Sequence, residues 1–329
     1  MKKILIVKIN AIGDVVMALS MLYALKQEYQ YTHITWVVGS VVAPLLKEIK
    51  EIDRIIIVNE EKLLLGSFFE KSSVLFKYFS QIFFKKFDKT IIAHSDKRYR
   101  LFSLFTRSTE TVFFGGHQKT LPLGTRFHGY DYIELATNIN NLKNNILKYP
   151  QVQFTQKSNT NSTKKVLLFP GGANNTLNEQ SLRRWNIKNY SLLANKLHEH
   201  GISVAIAGSD SDQWTQEHFN KNITNYIGKT SLVNTLSLIE KYDLIITHDS
   251  GPMHLALYLV QKTTICLFGP VLSSARVPRN WPNALIPKTA SLPQCAPCYN
   301  GKNFAECDSN ICMDTYTVDD ILTLALNNI

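Results

Sequence analysis

Residues 243–254 read DLIITHDSGPMH. The run Leu244-Ile245-Ile246 has the composition of a buried strand, and it empties at once into an acid, a hydroxyl, a glycine and two histidines. A strand that ends in small polar residues and feeds a helix N-terminus is a common way to hold an anion. The free N–H groups of the first helical turn point at the ligand, and Gly251 lets that ligand come close to the backbone.

The same pattern repeats to either side. In the second half, apolar strands at 165–169, 203–208, 223–228, 243–247 and 263–268 are separated by helices at 188–200, 211–219, 231–241 and 251–259. In the first half, strands at 3–9, 33–38, 54–58, 89–94 and 111–115 accompany helices at 14–29 and 40–49. Continuous apolar strands alternating with helices imply parallel sheets covered on both faces. The polar stretch QKSNTNSTKK (156–165) is the natural linker. The expected fold is therefore α/β, with two Rossmann-like, doubly wound parallel-sheet domains facing a cleft, at 1–155 and 164–329. Ligands in such sheets bind beyond the carboxyl ends of the strands. That rule gathers Asn10, Gly13 and Asp14 after the first strand, Gly171 and Gly172 after the first strand of the second half, and Asp249, Ser250 and Gly251 after a later one. Neither first strand is followed by G-x-G-x-x-G, which counts against a dehydrogenase.

The chain has 329 residues, 45% of them hydrophobic, which is ordinary for a soluble two-domain protein. No apolar run approaches the ~20 residues of a spanning helix. The opening MKKILIVKIN resembles a signal peptide, but Lys8 interrupts the apolar stretch after five residues, and it reads better as the first strand of a cytoplasmic protein. Residues 1–150 hold 21 Lys+Arg against 13 Asp+Glu, a net +8, out of +10 for the whole chain. That balance suits an anionic partner, or simply solubility. Of five cysteines, Cys266 falls inside a strand, while Cys295, Cys298, Cys307 and Cys312 form C-x2-C, eight residues, then C-x4-C in the C-terminal segment. Metal ligation, disulfides and free thiols all remain open for these four.

Four motifs together resemble the bacterial lipopolysaccharide heptosyltransferases, glycosyltransferase family 9. They are K-I-L-I-V-K-x-x-A-I-G-D from Lys3 to Asp14, P-G-G-A at 170–173, R-R-W at 183–185, and D-S-G-P-M-H at 249–254. The resemblance runs from Lys3 to about Pro270. It implies a GT-B fold, with the acceptor on the N-terminal domain and a nucleotide sugar on the C-terminal one.

Each site residue carries a local reading beside the one the resemblance implies. Asp14, at the start of a helix, suits the free N–H groups there; the resemblance makes it the general base that deprotonates the acceptor hydroxyl. Lys8 is either a solvated edge lysine or a contact for acidic acceptor groups, and Asn10 and Gly13 belong to the same acceptor edge. Arg183 and Arg184 read as a surface pair; the resemblance places Arg183 on the donor diphosphate and brings Arg184 to that side with it. The family has Pro after this tryptophan, where here stands Asn186. Asp212 reads as part of a helix cap, and by resemblance as the acid for the ribose hydroxyls. Gly171, Gly172, Asp249, Ser250, Gly251 and His254 complete the donor side, with Asp249 accepting from sugar hydroxyls. The D-x-D pair after a strand, Asp210-Ser211-Asp212, reads as a helix cap, so transfer without a metal is expected, and no cofactor.

Residues 62–89 hold Leu75, Phe76, Phe79, Ile82, Phe83 and Phe87 near helical spacing, with Lys77, Lys85 and Lys86 between them. They read as a core-facing helix or as a peripheral contact with an anionic inner leaflet, where a lipid A-based acceptor would sit. The resemblance thus implies an inverting, cytoplasmic heptosyltransferase. It would take ADP-heptose as donor and a Kdo/heptose inner-core glycolipid as acceptor, without nucleic acid. A transferase using another nucleotide sugar and a non-catalytic sugar-nucleotide binder are the alternatives.

Overall fold

The structure, a computed structural model, describes residues 1–114, 126–137, 147–152, 163–174, 179–288, 292–300 and 303–329. The chain divides into two compact units, Met1–Pro122 with His128–Val152, and Leu123–Phe127 with Gln153–Ile329. Most of the expected linker, and Gly115 at the end of an expected strand, lie outside the described residues.

In the first unit, β1 (Lys2–Val7) leads into α1 (Ile12–Ala18) and α2 (Ser20–Glu28). Then come β2 (Thr32–Gly39), α3 (Ala43–Lys47), β3 (Arg54–Val58), α4 (Glu60–Leu64), α5 (Phe68–Ile82), β4 (Lys86–Ile92), β5 (Arg107–Phe113) and α6 (His128–Ala136). The strands pair in parallel in the order β3-β2-β1-β4-β5. The topological switch therefore lies between β1 and β4, which is where this sheet type opens for a ligand. Ile4 to Val7 are fully buried, as continuous apolar strands require.

In the second unit, β6 (Lys165–Leu168), α7 (Ile187–Glu199), β7 (Ser203–Ile206), β8 (Thr224–Asn225), α8 (Leu232–Glu240) and β9 (Leu244–His248) come first. They are followed by α9 (Gly251–His254), β10 (Thr264–Leu267), α10 (Ser273–Arg276), β11 (Ala284–Leu285), α11 (Ile311–Asp314) and α12 (Val318–Leu326). The parallel order is β11-β10-β9-β6-β7-β8, with its switch between β6 and β9. Val166, Leu168, Tyr190, Leu193, Ile246 and Ile265 share one core with residues of α12.

Several boundaries depart from expectation. The helix expected at 14–29 starts at Ile12 and breaks at Leu19. The helix expected at 211–219 is a 3-10 helix, Asp210–His218, and the one at 251–259 winds as a π-turn over Leu255–Val260. The stretch 62–89 is three elements rather than one. Ser67 and Glu70 form a capping box that starts α5, and Phe87 already belongs to β4, paired to β5 and buried. Phe68, Phe69, Phe76 and Phe84 are each at least 76% exposed, so this aromatic set does not serve the core. No helix among the described residues is long and apolar enough to cross a membrane.

Candidate functional site

In the second unit the carboxyl ends of β6 and β9 meet, because those strands are neighbours. Asp249 follows β9 directly and is 2% exposed. Arg183 Nη1 donates to its Oδ2 at 3.2 Å and to its carbonyl oxygen at 3.3 Å. Arg276 Nε lies 3.6 Å from Oδ2, and His254 Nε2 lies 3.8 Å from Oδ1. Burial pushes the Asp249 carboxyl up, but Arg183 and then Arg276, with His254 behind them, outweigh it and hold it well below the usual carboxylate range. Two guanidinium groups thus converge on one buried carboxylate. Arg183 Nε is buried without a hydrogen-bond partner among the described residues. An unmatched buried donor is costly, and an anionic ligand would satisfy it.

The P-G-G-A loop packs against this cluster. Gly172 sits at φ +84, a conformation open to glycine, and a Cβ there would lie 3.5 Å from Ser250 Cβ. Ser250 is the N-cap of α9, and its hydroxyl bonds the His248 carbonyl at 3.2 Å. Gly251 opens α9, and His254, at its end, is 3% exposed. His248 is fully buried, bonded through Nδ1 to the Tyr190 hydroxyl at 3.1 Å, and burial lowers its pKa to about 3.

Two residues of the donor side are held within the loops around Gly172. Arg184 is no surface residue: Nε donates to Gly172 O at 2.9 Å, Nη1 to Glu179 at 2.7 Å and Nη2 to Asn174 at 2.7 Å. Its guanidinium braces the loop that carries Gly172 and also faces Trp214. Asp212 is 3% exposed, accepts the Gly172 N–H at 2.7 Å through Oδ1, and accepts the Ser209 N–H and hydroxyl at 2.8 Å through Oδ2. It braces two loops. Gly171 is required here for space, since a Cβ would lie 2.4 Å from Asp212 Oδ1. Asn186, in place of the family's proline, caps α7 by accepting the Lys188 N–H at 3.0 Å.

In the first unit, Gly13 and Asp14 occupy the first turn of α1, and the half-buried Asn10 lies just before it. Lys8 is corrected from a solvated edge residue to a buried one, 4% exposed. Its Nζ lies 3.2 Å from Asp14 Oδ2 and over the Tyr132 ring, and Trp36 Nε1 bonds its carbonyl oxygen.

His94, past the end of β4, was not anticipated, nor were Arg276 and Glu60. His94 Nε2 accepts the Ile9 N–H at 2.9 Å, and the ring stacks on Tyr99. A ring nitrogen that accepts must be unprotonated, and burial, then Lys8, holds the His94 pKa well below its ordinary value, against the pull of Asp14. Glu60 is 5% exposed, and burial raises its pKa to about 6. Its carboxylate occupies the space beside Gly39 at the end of β2. His94 and Glu60 lie just past the ends of β4 and β3, and Arg276 ends α10 in the other unit.

The family model of glycosyltransferase family 9 (heptosyltransferase) matches residues 130–297. The lipopolysaccharide core heptosyltransferase OpsX of Haemophilus influenzae is 26% identical over 279 residues, 78% of this chain and 76% of that one. Lipooligosaccharide heptosyltransferase 2 of Haemophilus ducreyi is 26% identical over 304 residues, 84% of this chain and 86% of that one. Among solved structures, the ADP-heptose LPS heptosyltransferase II of E. coli superposes with a TM-score of 0.76 at 19% identity, covering 99% of this chain and 98% of that one. The family 9 glycosyl transferase of Veillonella parvula gives a TM-score of 0.77 at 18% identity, covering 99% and 96%. At such identities the structural likeness establishes the fold, which is that of the GT-B heptosyltransferases.

Proposed function

We propose that this chain, which belongs to glycosyltransferase family 9, moves a heptose from an ADP-heptose-type donor onto the acidic inner core of a lipopolysaccharide. Membership makes it a glycosyltransferase; the sugar, the nucleotide and the acceptor are the proposed part. The observation that carries the donor side is Arg183, held against Asp249 through Nη1 with a buried Nε left over. A diphosphate beside Arg183 and the Ser250–Gly251 amides would meet a cation and N–H donors together, with the side-chain-free Gly171–Gly172 turn leaving it room. Asp249 and His254 then lie where sugar hydroxyls would be read.

On the acceptor side Asp14 is the base. The acceptor hydroxyl gives its proton to the Asp14 carboxylate as its oxygen bonds the anomeric carbon. The bond from that carbon to the diphosphate breaks, and the nucleoside diphosphate leaves with the electron pair, its charge met by Arg183. Asn10, Gly13 and the Lys8–Asp14 pair form the acceptor edge. The exposed Phe68, Phe69, Phe76 and Phe84, with exposed Lys77, Lys85 and Lys86, support peripheral contact with the cytoplasmic face of an anionic membrane.

Calorimetric titration of ADP, UDP, GDP and NAD into the full chain tests the donor reading. Tightest binding of ADP is expected. Preference for UDP or GDP would assign another nucleotide sugar, and binding of NAD alone would overturn the reading. ADP-sugar binding without transfer to any lipopolysaccharide acceptor would make the protein a binder.

A further inference from the structure

We infer that His94 is an acceptor-binding residue, whose Nδ1–H donates to a hydroxyl or carboxylate oxygen of the sugar that Asp14 deprotonates. The inference rests on the reading of the β1–β4 edge as the acceptor site.

His94 stands two residues beyond β4 and Ile9 two beyond β1, the strands that flank the switch of this sheet. Val7 pairs with Ile92, so the two residues meet at the opening where a doubly wound sheet takes its ligand. The Ile9 N–H donates to His94 Nε2 at 2.9 Å. A neutral imidazole has one accepting nitrogen and one N–H, so this backbone bond fixes the tautomer and puts the proton on Nδ1. Tyr99 stacks on the ring, 3.7 Å between centroids and 8° between planes, which holds its orientation. Burial, then the Lys8 ammonium, keeps the ring from gaining a second proton.

Among the described residues Nδ1 has no hydrogen-bond partner. It is not sealed in, since the unmatched side-chain atoms enclosed in this unit are Arg54 Nη1 and Glu60 Oε2. A donor that meets solvent carries no desolvation penalty in the free protein and stays available to a ligand. It also stands near the base. Lys8, next to Ile9 in the chain, holds Asp14 Oδ2 at 3.2 Å, and Lys8 and Asp14 are the two charges that act on the ring.

This donor selects in a way that a charge does not. Nε2 is already taken, so the ring accepts nothing, and only a group with an oxygen lone pair fits at Nδ1. A hydroxyl or a carboxylate meets that condition, whereas the ammonium of an amino sugar does not. His94 thus adds direction at the acceptor edge without adding charge.

The test measures transfer by the full chain from ADP-heptose onto a lipopolysaccharide truncated before its inner-core heptoses. His94→Gln keeps an accepting oxygen near the Nε2 position for Ile9 and removes the donor at Nδ1. The acceptor KM should rise about three- to tenfold, the worth of one hydrogen bond, with kcat and ADP affinity within about twofold. His94→Asn does the reverse, keeping an N–H near Nδ1 and leaving the Ile9 N–H unmatched. It should unfold at a lower urea concentration, with a smaller rise in KM. A histidine that only supports the strand end would leave KM unchanged in His94→Gln, and that result overturns the inference. Nitrogen NMR of the unaltered chain, labelled at histidine, needs no variant. The proton should sit on His94 Nδ1, and adding the acceptor should move that signal more than the Nε2 one. A proton on Nε2, or no response to an acceptor that is turned over, would also overturn the assignment. No transfer to any lipopolysaccharide by the unaltered chain would instead overturn the acceptor reading, and the inference with it.

Discussion

Lys8 Nζ lies 3.2 Å from Asp14 Oδ2, with the lysine side chain 5% exposed and the aspartate 41% exposed. A buried ammonium thus stands behind a carboxylate that reaches solvent. Two residues six apart in sequence form one unit in which Lys8 pairs with Asp14, while Asp14 faces outward.

Asp14→Asn is expected to lower turnover by about 10²–10⁴, the range of a general base, with ADP binding unchanged. Single-turnover kinetics and calorimetry on the same preparation check both halves. Unchanged turnover would leave Asp14 as a partner for the α1 N-terminus and for Lys8.

Arg183→Ala should weaken ADP binding by roughly 10–150-fold, as expected for loss of a charge-assisted hydrogen bond, and the remaining affinity should depend less on salt. Arg184→Ala should act differently. It leaves Gly172 O, Glu179 and Asn174 without their donor, so a loss of stability of about 1–3 kcal/mol is expected with a smaller effect on ADP affinity. Denaturant unfolding and titration of the two variants separate a ligand contact from a brace; equal affinity losses would show that both arginines bind.

Glu60 gives a pH signature. Its folded pKa is raised from 4.5 to about 6 by burial, so the folded state holds its proton more tightly than the unfolded one. Its contribution is fully present below the unfolded value and is lost as pH rises through about 6, by up to about 2 kcal/mol at 1.36 kcal/mol per pH unit. Glu60→Gln should flatten the stability profile between pH 4.5 and 6. An unchanged slope in urea unfolding would show that Glu60 does not resist ionisation.

The aromatic surface is tested on vesicles. A triple variant with Ser at 68, 69 and 76 should fold with unaltered stability, since these phenylalanines are 76–81% exposed, yet bind anionic vesicles at least tenfold less. Equal sedimentation with vesicles for both proteins would remove this face from membrane contact.

Much of the frame was legible in the chain. The strand RIIIV matches its expected bounds, and the strand expected at 243–247 runs one residue later, as LIITH ending at His248 with Asp249 next, because a parallel strand and the turn after it are set by adjacent residues. The exceptions have local causes. The Ser67–Glu70 box starts a helix inside a stretch that reads as continuous, and Phe87 leaves it because strand pairing outweighs helical spacing. The C-terminal helix α12 went unpredicted; it exists by packing on the core it shares with α7.

What the sequence determined by itself is therefore whatever follows from chain neighbours: two α/β units, the ligand edge after β1, β6 and β9, and the residues standing there. What the tertiary structure decided is which distant groups face each other. Strand order places β4 beside β1, so His94 reaches Ile9 across 85 residues; it places β9 beside β6, so Arg183 reaches Asp249 across 66, and β7 beside β6, so Asp212 holds Gly172 across 40. No spacing along the chain encodes such pairs. They arise because burying a carboxylate or a guanidinium is tolerable only against a partner, and only the folded sheet determines which partner is near.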